Sequence, residues 1–515
     1  MQLQRTLLAG AALSALASLS FAQTTPATAP VTVLPPVVVT ANPLGAGEGD
    51  QILTPAKVLS GDELSNRLGN SLGDTLSHEL GVSASAFGAG ASRPIIRGLE
   101  GARVKILQNG MGVADVSTLS NDHATAVSGP TARQIEILRG PAALLYGSGA
   151  IGGLVNVVND RIPTALQERP TGEAELRLGS VDRSGTASVS VDGSAGSIGL
   201  HLDGSVQDAG NYRIPDDRIR DDPASGSGRL PGSFSRERNL GLGLSTIGDW
   251  GHVGASVGVL DKRYGIPTDE GASIALDQTR YDVDGLLKNP FGIFESLKVK
   301  LGYTDYRHSE LNSEGEAETD FKNRAFETRW ELAHAPLAGW RGTIGLQTEQ
   351  SKFSALSAET GTPDTVPTTK SMSTALFIVE ERELGPLRLN AGLRVENVKR
   401  RPDAGPDRSF DLTSYSVGGL WPFTPGYGLG LTASVAQRAP TTEELYSNGP
   451  HEATATFDVG NDAFRKETSH NIELSLQKTS GLVRWKANVF QNRVKDFIYG
   501  QLTGNLLDDE GLPGD

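Results

Sequence analysis

The chain has 515 residues and a formal net charge of −14, from 47 Lys and Arg against 61 Asp and Glu, with 62 glycines, 8 histidines and no cysteine. Zero cysteine excludes a disulfide scaffold and any Cys-ligated metal or haem centre. Glycines without a three-residue period exclude collagen, and the acidic balance argues against a nucleic-acid partner.

Residues 1–22 combine Arg5, an apolar run from Leu7 to Leu19, and small residues at Ser20 and Ala22. This is the pattern of a secretory signal peptide, cleaved to leave a chain starting at Gln23. The run is shorter than the ~20 residues a helix needs to span a bilayer. Residues 23–59 form a proline-rich stretch (Pro26, Pro30, Pro35, Pro36) around one β-prone pentad, Val37, Val38, Val39, Thr40 and Ala41.

Residues 60–165 read as a glycine-punctuated α/β domain. Ser60 and Glu63 have capping-box spacing, and Leu64, Leu68, Leu72, Leu76 and Leu80 predict a helix running to Leu80. Short strands follow at Pro94–Ile96, Val104–Gln108, Gln134–Leu138 and Leu154–Val158. Gly147, Gly149 and Gly152 match G-x-G-x-x-G. That fingerprint must follow a strand and open a helix, whereas here a helical turn from Pro141 to Tyr146 precedes it and a strand follows. A tight turn with close backbone packing is the expectation, not a nucleotide site.

From residue 172 to 515, period-two segments recur, as in Leu297, Val299, Leu301 and Tyr303 against Lys298, Lys300, Gly302 and Thr304. No apolar run of spanning length occurs after Ala22, which rules out membrane helices but not a β-barrel. Short connections (Gly193 to Gly196, Gly248 to Gly251, Leu384 to Pro386, Thr424 to Gly426, Thr479 to Gly481) alternate with long polar ones around Gln207 to Glu237, Asp261 to Gln278, Arg307 to Asp320, Phe353 to Lys370, Lys399 to Phe410 and Arg438 to Ser469. A soluble sandwich or propeller has no reason to sort loops by length onto opposite ends, and internal repeats are absent. The expectation is a mainly β fold: a transmembrane antiparallel barrel of about 15 strands. An odd number does not close such a barrel, so the chain reads as a partial one; against a 22-stranded plugged type, about 22 − 15 = 7 strands are absent.

Arg97-Gly98-Leu99, Arg103 to Gly110, Ile135 to Pro141, Leu145-Tyr146-Gly147 and Gly152 to Val158 together resemble the plug domain of TonB-dependent outer-membrane receptors. The resemblance implies a plug inside the barrel lumen, location in the outer membrane as a monomer in its lipid bilayer, and periplasmic placement of residues 23–59. It makes Val37 to Ala41 a TonB box, an extended segment that adds as a strand to the energy-transducing partner TonB. The implied function is active uptake, with no enzymatic activity; no Ser-His-Asp spacing rises above chance. A surface adhesin, the alternative of another class, would have no use for plug or box.

Without cysteine, a metal site must use His and carboxylates from distant segments. Asp122 and His123 lie in a polar plug segment, His308 and Glu310 share the parity of Lys298 and Lys300 and so point into the lumen, and His451 lies in a long loop. Asp, Glu and two His would make a four-ligand N/O set suited to zinc. Asn121-Asp122-His123 and the run from Arg438 through Glu444, Gly449, His451 and Gly460-Asn461 to Leu474 resemble the zinc-uptake branch of the family. The resemblance implies a metal site of Asp122, His123 and His451, with Glu310 as the less certain barrel carboxylate. Gln437 to Pro440 and Gly460 to Thr468 also resemble the two segments that flank a haem-binding His in haem receptors, so haem, or a ferric siderophore, stays open as the ligand. No resident cofactor is expected.

Overall fold

The computed structural model describes residues 38–39, 47–48, 56–85, 87–139, 145–215, 228–267, 271–451 and 456–506, all within the unit Val37–Asp515. The signal sequence, most of the proline-rich stretch, Val37, Thr40, Ala41, most of the turn before Tyr146 and the end of the chain lie outside them. Val38–Val39 is described as backbone only, paired antiparallel with Gly47–Glu48.

The wall is one 15-stranded antiparallel sheet in which every strand pairs with its neighbour in sequence, except that the hairpin Asn448–His451/Thr456–Val459 stands between two wall strands. Thr171–Leu178 and Trp485–Lys495 are its edges among the described residues, and the sheet is not closed. Its burial is the reverse of a water-soluble sheet. Leu393 and Val395 are 44% and 45% exposed, while Arg394 and Glu396 between them are 3% and 8% exposed. Likewise Ile472 and Leu474 face outward and Asn471, Glu473 and Ser475 inward. An apolar exterior over a polar lumen is what hydrocarbon as solvent selects. Four of the five tryptophans, Trp250, Trp340, Trp421 and Trp485, sit at the tight-turn end. There Phe291 and Phe294 pair across a turn with ring centroids 5.1 Å apart, and Trp421, Phe423, Tyr427 and Trp485 form a chain of ring contacts, an interfacial aromatic girdle.

The loops sort as the sequence predicts, but the strands run further into them. Phe294–Leu311 and Ala317–Leu337 leave only residues 312–316 between them, and His308 and Glu310 lie on the first of these strands, as their parity predicts.

Inside the wall lies a five-stranded mixed sheet, in the order Ala56–Ser60, Gln134–Arg139, Gly153–Val158, Val104–Gln108, Met111–Gly112, with Val104–Gln108 and Gly153–Val158 parallel. Gly153–Val158 is buried along its whole length. The single helix predicted from Ser60 to Leu80 is instead two short ones, Gly61–Ser65 and Leu72–Leu76. Gly69 and Asn70 interrupt it. Ser71 rather than Ser60 supplies a side-chain cap, accepting from the Asp74 N–H, and Glu63 pairs with Lys57 at 2.5 Å. Leucines at every fourth position fit a helix, yet Leu80 is exposed. The glycine turn behaves as expected: Gly147 and Gly149 have φ of +86° and +96°, and a Cβ on Gly152 would lie 3.0 Å from the Arg103 carbonyl oxygen. Plug and wall share one apolar core, in which Leu76, Val116 and Val127 of the plug pack with Tyr306, Phe321 and Phe353 of the wall.

Candidate metal-capture site at the plug and barrel wall

The plug segment from Val113 to Ala126 has no regular structure and is held by side chains. The Asp115 carboxylate accepts from the Ala126 N–H at 2.8 Å and from the Ser117 N–H and hydroxyl. Burial pushes this carboxyl above its usual range, and those hydrogen bonds pull against the shift. From the wall, Tyr264 reaches across: its hydroxyl donates to the Asp122 carbonyl at 2.9 Å and accepts from the Ala124 N–H at 2.8 Å. Gly90 makes room for that ring, since a Cβ there would lie 2.3 Å from the Tyr264 Cβ.

This bracing delivers Asp122 and His123 to the strand that carries His308 and Glu310. His123 Nε2 is 2.9 Å from Glu310 Oε1 and 3.4 Å from Asp122 Oδ2. The His123 and His308 rings are 4.6 Å apart, and one ligand atom from each of His123, His308 and Glu310 lies within 4.8 Å of the others. A zinc ion with bonds of ~2.0–2.1 Å requires tetrahedral donors roughly 3.3 Å apart; the separations of His123 from Glu310 and Asp122 are close to this, while a ligand atom of the His123, His308 and Glu310 set lies up to 4.8 Å from another and must draw in to share the ion. The four residues are 0 to 6% exposed.

Outer contacts orient both rings. His123 Nδ1 lies 3.3 Å from the Val116 carbonyl oxygen and Nε2 lies 2.9 Å from Glu310 Oε1. With Nδ1–H donated to that carbonyl, Nε2 would be the nitrogen offered to a metal ion. Tyr306 O–H lies 2.9 Å from His308 Nδ1, and Phe321, the cross-strand partner of His308, stacks on its ring at 4.4 Å and 21°.

Of the residues singled out in the sequence, Asp122, His123 and Glu310 therefore come together. His308, whose inward parity was legible but which the metal set omitted, joins them. His451 is described as backbone only, paired with Thr456 at the end of its hairpin. That hairpin rests on the connection at Thr365, whose hydroxyl donates to the Pro450 carbonyl at 3.2 Å, and the next residue, Val366, belongs to the same apolar core as Tyr306 and Phe321.

Sequence reasoning missed the ties between plug and wall. Arg97 makes a bidentate pair with Glu473 at 3.0 and 2.8 Å, and Arg103 one with Glu467 at 3.0 and 2.6 Å; Glu467 also binds Arg438 at 2.9 Å. Inward parity of the glutamates was the available signal.

A plug domain packed inside an antiparallel wall with an apolar exterior defines an outer-membrane barrel of the plugged class. The family description "TonB dependent receptor-like, beta-barrel" matches residues 203–511, and "TonB-dependent Receptor Plug Domain" matches residues 50–154. The chain belongs to the TonB-dependent receptors. It is 24% identical to a hemin receptor of Yersinia pestis over 498 residues, covering 90% of this chain and 70% of that protein. It is 23% identical to the vitamin B12 transporter BtuB of Photobacterium profundum, covering 87% and 68%. Among solved structures, the copper transporter OprC matches with a TM-score of 0.73 at 16% identity, over 86% of this chain and 72% of that one.

Proposed function

We propose that the protein is an outer-membrane receptor that captures a divalent metal ion, zinc in the first place, at Asp122, His123, His308 and Glu310, and passes it to the periplasm when TonB pulls on the segment Val37 to Ala41. Supporting this reading above all is the buried convergence of two imidazoles and two carboxylates from segments 187 residues apart. Mixed N/O donors at this spacing suit zinc. His451, on the hairpin resting at Thr365, is a further ligand to be tested.

The second reading is haem or a ferric siderophore, favoured by the hemin receptors among the relatives and by the place of His451 in its loop. Burial weighs against a macrocycle at the cluster itself, because donors exposed by 6% or less meet at a point and leave no room for a ring edge. Calorimetric titration of the full chain in detergent with zinc chloride and with haem separates the two. Zinc binding lost in His123→Ala and in Glu310→Gln supports the ion site. Zinc binding retained in both removes it, and a haem absorbance band lost only in His451→Ala would establish the second reading.

A further inference from the structure

The alternation that turns polar groups into the lumen also decides what the outside of the wall presents, and on one flank the outside is not apolar throughout. Across Ala317–Leu337, Trp340–Ser357, Thr369–Leu384 and Leu387–Pro402, the outward residues Trp330, Leu346, Leu376 and Val395 stand opposite one another in turn and are 37% to 56% exposed. Six residues further toward the long loops, about 20 Å along the strands, the same parity carries Arg324, Lys352, Lys370 and Arg401, all exposed.

These four cations form a row in register. Arg324 stands opposite Lys352, Lys352 opposite Lys370, and Lys370 opposite Arg401. Like charges directly opposite across strands destabilise a sheet, and here three such oppositions run in succession. Among the described residues, ion pairs reach only the ends of the row: Asp305 lies 3.4 Å from Arg324 and is shared with Arg307 at 3.3 Å, Asp407 lies 3.6 Å from Arg401, and none involves Lys352, Lys370 or the nearby Lys399. Between the row and the apolar belt lies a groove of about 360 Å³ lined by Tyr303, Phe326 and Met372, 38% to 44% exposed, with Lys399 beside Met372 as its cross-strand partner.

We propose that this outward face binds a phosphorylated lipid of the outer leaflet, with its phosphates on the row of Arg324, Lys352, Lys370 and Arg401 and its acyl chains along the groove and the belt below. The side chains point away from the lumen, so transported cargo does not meet them. They sit at the long-loop end, where lysine and arginine stems lie on apolar surface while their charged heads reach the polar layer. Ammonium and guanidinium groups pair with phosphate oxygens, which relieves the repulsion along the row. Strands roughly 4.8 Å apart give the row a width of about 14 Å, enough for more than one phosphate. The site rests on the orientation of the wall in the outer membrane and is independent of the metal reading.

The test titrates the full chain in detergent with diphosphoryl lipid A, with the same lipid stripped of phosphate, and with inorganic phosphate. Wild type is compared with the double variants Lys352→Gln/Lys370→Gln and Lys352→Arg/Lys370→Arg, whose folding is checked by thermal unfolding without lipid. A basic residue beside an anionic lipid surface is worth about fivefold in binding, so the glutamine pair is expected to weaken lipid A binding by about 25-fold and the arginine pair to retain it. Wild type is expected to bind the stripped lipid at least tenfold more weakly, and phosphate alone not at millimolar concentration. Equal lipid A binding by wild type and a folded glutamine variant, or equal binding of intact and stripped lipid by wild type, would overturn the proposal. Phosphate binding as tight as that of the lipid would make this a free-anion site and overturn the lipid assignment.

Discussion

Tyr306 touches no ion in this account; it acts through His308. With its hydroxyl on Nδ1, the opposite ring nitrogen is the one turned to the ligand cluster. Tyr306→Phe keeps the ring, which is fully buried against the plug core, and removes only that contact. Loss of an outer hydrogen bond of this kind costs about 10–100-fold in metal affinity, so zinc affinity measured against a chromophoric chelator is expected to fall by about tenfold with unchanged thermal stability. Unaltered affinity would mean that the ring is oriented by Phe321 stacking alone.

At the scale of elements, the plug is fastened to the wall by charge pairs whose surroundings differ. Glu473 has Arg97 as its one hydrogen-bonding cation among the described residues, and both side chains are under 10% exposed. Glu467, in contrast, is shared by Arg103 and Arg438 and also accepts from the Ile498 N–H at 2.7 Å. Removing one partner of a buried pair costs about 3–5 kcal/mol when the other is left uncompensated. Arg97→Ala should therefore destabilise the plug more than Arg103→Ala, by thermal unfolding in detergent; the reverse order would show that the Arg438 contact does not compensate. These pairs also show what a sequence exposes. The inward parity of Glu473 and Glu467 along Glu467–Lys478 is a local signal, because period two is a property of the strand itself. Which plug arginine each would meet is set by three-dimensional packing across more than 360 residues of chain and leaves no local pattern. The predicted long helix failed for the complementary reason: leucine spacing was local and correct in type, but Gly69 and Asn70 turn the chain so that Leu72 and Leu76 join the plug core.

For the whole molecule, the inverted burial of the wall and the shared core of plug and wall make the protein a membrane-type β-wall around a fitted plug, and both were legible: the first from alternation and loop sorting, the second from the plug motifs. The candidate site was legible in part. Asp122, His123 and the inward parity of His308 and Glu310 could be read, whereas their meeting depends on Tyr264 and Asp115 bracing a segment that has no regular structure. The claim that this cluster loads cargo for TonB-driven entry is tested most directly by radioactive zinc uptake and surface binding in cells expressing wild type, His123→Ala, or a chain lacking Val37 to Ala41. The account predicts that His123→Ala loses both binding and uptake, and that the deletion keeps binding but loses uptake. Uptake at the wild-type rate in both would contradict it.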